Sequence, residues 1–175
     1  MMYPVSVIDG LVHQLGGWRL QLECAQLPVI QNNDEKCPIG YAVKTSNGNK
    51  ELLNEFDYII HTTPRFYSHY DGNPIDALEQ CYKNSLDLAF SSSGDKPEIR
   101  VACPILGSGA RGFPMNVAMQ VAAKTSLKWI QGELNTSNEK SSAGRTLAFG
   151  FLEPKDANEF KAMLQDDHDH DEDTQ

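Results

Sequence analysis

The sequence predicts an α/β fold of three layers, with a mixed, mainly parallel sheet flanked by helices. Three observations carry that expectation. From Tyr41 to Leu164 short apolar strands alternate with segments of helical period. One strand, Arg100–Leu106, runs directly into a glycine turn and then a helix-compatible stretch. The 175 residues are 40% hydrophobic and 22% charged, which suits one globular domain.

The elements follow in order. Ser6–Leu15 reads as a short helix with Val7, Leu11 and Leu15 on one face, closed by Gly16-Gly17. Trp18–Gln26 continues it as a second helical piece. After the polar loop Gln31–Pro38, Tyr41–Thr45 is a strand that ends in the turn Ser46-Asn47-Gly48-Asn49. Phe56–Thr62 is a strand stopped by Pro64. Asp76–Phe90 is an amphipathic helix with Leu78, Tyr82, Leu86 and Ala89 facing inward. Arg100–Leu106 is a strand and Asn116–Ile130 the helix after it, followed by a long polar connection, Gln131–Gly144. Leu147–Leu152 is the last strand. Asp156 opens the final helix, with Glu159 three residues on and Phe160, Met163 and Leu164 on its buried face. Residues 1–165 form the domain, and 166–175 read as a disordered acidic tail.

Charge and cysteine usage exclude several functions. A net charge of −9 argues against direct nucleic-acid binding. No apolar run is long enough to span a membrane, and Met1-Met2-Tyr3-Pro4 lacks a secretory pattern. Cys24, Cys37, Cys81 and Cys103 stand far apart with no C-x-x-C, so they read as reduced thiols of a cytoplasmic or nuclear protein, with no zinc site. No cofactor is implied. His61 reads as a buried, hydrogen-bonded strand end, His13 as a helix residue and His69 as a loop residue; Cys103 reads as core.

The turn Gly107-Ser108-Gly109-Ala110-Arg111-Gly112-Phe113 is the chemical signal. Glycines let backbone come close to a ligand, and the amides before a helix point at negative charge. The turn therefore suits a phosphate-bearing small molecule. Its G-x-G-x-x-G spacing alone is weak evidence for a dinucleotide fold, because the turn lies past mid-chain and Glu133, near the position expected for the acid, falls in a polar loop after a helix. At the exit of the last strand, Phe151 and Leu152 are placed to meet a flat ring or to pack in the core.

These residues resemble the macro domain family, and within it the MacroD-type ADP-ribosyl hydrolases. Val7-Ile8-Asp9-Gly10-Leu11-Val12-His13 resembles G-V-D-G-x-I-H, the start of the family's ligand-covering helix. Cys37-Pro38-Ile39-Gly40-Tyr41-Ala42-Val43-Lys44-Thr45 resembles C-x-T/P-G-x-A-x-x-T, and Tyr58-Ile59-Ile60-His61-Thr62-Thr63-Pro64 resembles V-I-H-x-V-G-P. The stretch from Leu78 through Cys81-Tyr82 to Ser85-Leu86 resembles L-x-x-C-Y-x-x-S-L. Pro104–Pro114 resembles the diphosphate loop, and Phe151-Leu152-Glu153 the close of the last strand.

The resemblance implies ADP-ribose, free or attached to a protein, as the ligand. It places Gly107, Ser108, Gly109, Ala110, Arg111, Gly112 and Phe113 around the diphosphate and proximal ribose. Val7, Ile8, Asp9 and Gly10 cover the ligand, Asp9 helps place or activate a water, and Phe151 or Leu152 packs against adenine. The family's earlier strand with Gly-Asp-Ile/Val and its Asn-Ala-Ala-Asn strand are not seen before Val7, where Pro4-Val5-Ser6 replaces the glycine run. The fold is thus expected to lack the family's first strands, through a misassigned start or a genuine shortening. Three functions follow: an ADP-ribose-binding module, an active hydrolase using Asp9, or a ligand-free interaction protein. Oligomeric state is not legible.

Overall fold

The computed structural model describes residues 8–30, 34–48, 55–68, 72–91, 98–136 and 144–169. Within them the order is α1 (Ile8–Gln26), β1 (Ala42–Ser46), β2 (Tyr58–Thr62), α2 (Pro74–Ser91), β3 (Ile99–Pro104), α3 (Met115–Thr136), β4 (Arg145–Gly150) and α4 (Pro154–Asp169). The alternation of strands and helices is the α/β pattern that the sequence predicts. β1 pairs β2 antiparallel with Val43 opposite His61, and β3 pairs β4 parallel with Ala102 opposite Ala148. The expected mainly parallel sheet is therefore, among the described residues, two two-stranded ladders, one of each kind.

One helix carries both ladders. Leu86, Ala89 and Phe90 of α2 pack against Ile60 of β2 and also against Ile99, Val101 and Leu147 of β3 and β4. The Tyr58 hydroxyl donates to the Ala89 carbonyl at 3.2 Å. The apolar spacing of α2 explains this position, since Leu78, Tyr82, Leu86 and Ala89 all lie on one face and all are buried. The main core forms where α2, α3 and α4 meet, from Leu78, Tyr82, Ile105, Phe113, Met119, Ala122 and Phe160. Asp87 ties α2 to α3 by accepting from Trp129 Nε1 at 2.7 Å, and within α2 it accepts from Lys83 Nζ at 2.7 Å.

Several boundaries differ from expectation for local reasons. α1 is one segment with a break at Gly17 (φ 62°, ψ −161°), a conformation reached essentially only by glycine. The break re-aims the helix: Gly16 and Leu20 are its buried residues, while Leu11 is exposed and Val7 lies outside the described residues. α3 continues to Thr136, six residues into the expected connection, and residues 137–143 are outside the described set. β4 sits two residues earlier than expected, because parallel pairing with β3 sets its register. α4 starts at Pro154, suited to the first helical position, with the Glu153 carbonyl accepting from the Asp156 and Ala157 amides. It runs to Asp169, so helical bonding extends into the first four residues of the expected disordered tail.

Candidate functional site

The glycine turn leaves β3 and is built from its own backbone. The Leu106 amide donates to the Tyr82 hydroxyl at 2.8 Å, which fixes the strand exit on α2. Burial, with Cys103 close by, pushes the Tyr82 phenol well above its usual value, so the oxygen stays a neutral acceptor. The Ser108 hydroxyl donates to the Ile105 carbonyl at 2.9 Å. The Gly112 amide donates to the Gly109 carbonyl at 3.0 Å, and the Phe113 amide to the Gly107 carbonyl at 3.1 Å. Gly107 has φ 85°, and a Cβ there would stand 2.8 Å from Phe113 Cδ2. Only glycine lets the turn close over that ring.

These bonds divide the expected ligand-binding residues. The amides of Gly112 and Phe113 are engaged within the turn. Those of Gly107, Ser108, Gly109, Ala110 and Arg111 have no intramolecular acceptor among the described residues. Phe113 is a pedestal: its ring is buried, 5.0 Å from that of Tyr67. The Tyr67 amide donates to the Arg111 carbonyl at 2.9 Å, and the Arg111 guanidinium lies 4.5 Å over the Phe66 ring. A cation is thus held at the rim of a row of amides, directly before the N-terminus of α3. That arrangement attracts an anion.

Other expected residues lie on separate elements. Phe151 is half-buried, its ring 5.2 Å from Phe160 in the core, whereas Leu152 is 92% exposed just past β4. For Phe151 the sequence left core packing and a ring contact open; its contact with Phe160 is the packing arrangement. Ile8 and Asp9 are exposed in the first turn of α1, and Gly10 is half-buried. Asp9 Oδ1 stands 3.6 Å from His13 Nε2. Among the described residues no hydrogen bond, ion pair or ring contact joins Asp9 to the 107–113 turn.

Below Asp9 lies a group the sequence does not reveal. His61 of β2 sits with Nε2 2.8 Å from Thr45 Oγ1 and 3.9 Å from Cys24 Sγ, and the His13 ring lies 6.0 Å away. Burial and the neighbouring His13 lower the His61 pKa, while burial, with Glu23 and Asp9 near, raises that of Cys24. The strand-end histidine is hydrogen-bonded as expected but half-buried rather than buried, and its neighbours are not foreseen. His69 lies outside the described residues. Cys103 behaves as the core thiol expected, pushed up by burial to about 12. No helix among the described residues is long and apolar enough to cross a membrane.

Comparison with known proteins identifies the family and the fold. Residues 2–122 match the Macro domain family. A macro domain-containing protein of Listeria monocytogenes is 34% identical over 133 residues, covering 76% of this chain and 69% of the relative. A protein of Citrobacter koseri named O-acetyl-ADP-ribose deacetylase is 30% identical over 118 residues, covering 67% of this chain and 60% of the relative. Among solved structures, the Oceanobacillus iheyensis macrodomain with ADP superposes with TM-score 0.70 at 21% identity, covering 91% of this chain and 75% of that one. The Trypanosoma brucei macrodomain in complex with ADP gives 0.64 at 19% identity, covering 91% and 57%.

Proposed function

This chain belongs to the macro domain family, and we propose that it binds ADP-ribose, free or attached to a protein, on the turn after β3. One observation carries the reading: five successive amides, Gly107 to Arg111, have no intramolecular acceptor among the described residues and lie just before the positive end of α3. Two linked phosphates offer that row several acceptor oxygens, and backbone donors held by a closed turn need little reordering to meet them. Arg111, stacked on Phe66, adds positive charge at the rim. Leu152, exposed beyond β4, offers an apolar face for the adenine ring. The relatives support the ligand class: one is named for an ADP-ribose ester, and two similar folds were solved with ADP.

A second reading is hydrolysis of an ADP-ribosyl bond. It is favoured by the exposed Asp9 carboxylate, held near His13 at the start of the helix that the family uses to cover its ligand. A carboxylate with a histidine neighbour is suited to orient an attacking water.

Isothermal titration of the full chain with ADP-ribose tests the binding reading. The expected result is saturable 1:1 heat, weaker with AMP and lost in Gly107→Ala. No heat from folded protein overturns it. Release of ADP-ribose from a modified protein, abolished in Asp9→Ala, separates the enzyme from the binder.

A further inference from the structure

We propose that His13, Cys24 and His61 form a binding site for a divalent transition metal of the zinc class, fastening the broken helix α1 to the β1–β2 ladder. One ligand atom from each residue lies within 4.8 Å of the other two. The Cys24 Sγ to His61 Nε2 edge is 3.9 Å. A tetrahedral zinc with bonds of about 2.3 Å to sulfur and about 2.0 Å to nitrogen spans ligand edges of roughly 3.5 Å. The site therefore closes by small side-chain rotations.

The donor set selects the metal. One thiolate and two imidazoles suit zinc and its neighbours in the first transition row; magnesium and calcium require oxygen. Thr45 does not block the site. Its hydroxyl also reaches the Ser46 carbonyl, at 3.0 Å, so it has an acceptor when His61 Nε2 turns to a metal. Asp9, 3.6 Å from His13 Nε2, adds a carboxylate of the kind that orients metal-bound histidines. On binding, the Cys24 S–H bond is replaced by an S–metal bond, and the proton leaves to water.

The backbone explains how distant residues meet. His13 and Cys24 are eleven residues apart in α1. A straight helix would hold their backbones about 16 Å apart along its axis. The break at Gly17 lies between them and turns one half against the other. His61 arrives from β2, three residues before Pro64, and pairs with Val43 in the ladder. The two halves of α1 and the strand β2 converge on one point for which neither the ADP-ribose reading nor the core packing accounts.

Cobalt(II) titration of the chelator-treated full chain tests this. One equivalent is expected to bind with a thiolate-to-cobalt charge-transfer band and intense tetrahedral visible bands, both displaced by zinc. Cys24→Ser abolishes the charge-transfer band, His13→Gln weakens uptake at least tenfold, and Cys37→Ser leaves both unchanged. Maleimide labelling of the unmutated chain supplies a readout that needs no variant: zinc protects Cys24 and leaves Cys37 reactive. Sub-stoichiometric uptake, a charge-transfer band that survives Cys24→Ser, or unprotected Cys24 overturns the proposal. No nucleotide enters these measurements, so the metal site and the ADP-ribose site fail separately.

Discussion

The two halves of the molecule are held together by different physics. From α2 onward, helices α2, α3 and α4 close on Leu78, Tyr82, Met119, Ala122 and Phe160, which are almost wholly excluded from solvent. The half before α2 has little such core. Leu20 is its one fully buried large side chain among the described residues, and Ile8, Leu11, Trp18 and Leu22 of α1 are exposed. That half is held by polar ties instead: Glu23 accepts from the Ser46 amide at 2.7 Å, and Thr45 meets His61. Ser46 keeps the Glu23 carboxyl below its ordinary value. Close packing fixes the glycine turn, which grows from the dense half. The Asp9 segment sits on the sparse half, exposed in the first turn of α1.

Substitutions sharpen this contrast. Leu78→Ala opens a cavity in the dense half and is expected to cost about 2–5 kcal/mol of unfolding free energy, read by urea denaturation. Gly107→Ala forces a side chain into a positive-φ position against Phe113, with an expected loss of about 1–3 kcal/mol and of ADP-ribose heat. Trp129→Phe removes the donor to Asp87 and is expected to lose about 1 kcal/mol.

Asp87 adds a pH signature. Burial works against its charge, but the bonds from Lys83 and Trp129 outweigh burial and leave its carboxyl below the ordinary value. A carboxyl depressed on folding stabilises above its unfolded value, about pH 4, and that stability is lost as pH falls through the folded value. Trp129→Phe should therefore flatten the acid limb of a stability-against-pH curve. The smallest effect is expected for Trp18→Ala, at a residue 68% exposed on α1, within about 0.5 kcal/mol by thermal melt. A large loss there would show that α1 is packed in solution and break the contrast.

Legibility in the sequence followed the same division. The inward face of α2 was readable because four apolar residues repeat at helical spacing, and the glycine turn because its composition is unusual. What escaped were features set by distant pairing. The register of β4 depends on β3, and no local pattern in Arg145–Gly150 reveals it. The separation of the amides of Gly112 and Phe113 from the five before them depends on how the turn closes on itself. His13, Cys24 and His61 follow no ligand spacing along the chain, because a break at Gly17 and a ladder bring them together.

The seating of both ladders on α2 has a mechanical consequence. β2 and β3 flank the same helical face without pairing to each other among the described residues. Shear between the two halves is resisted there by side chains and the Tyr58 hydroxyl, which yield more readily than a row of strand-to-strand hydrogen bonds. α2 thus bears both ladders on one face, and its Tyr82 hydroxyl holds the Leu106 amide where the glycine turn begins.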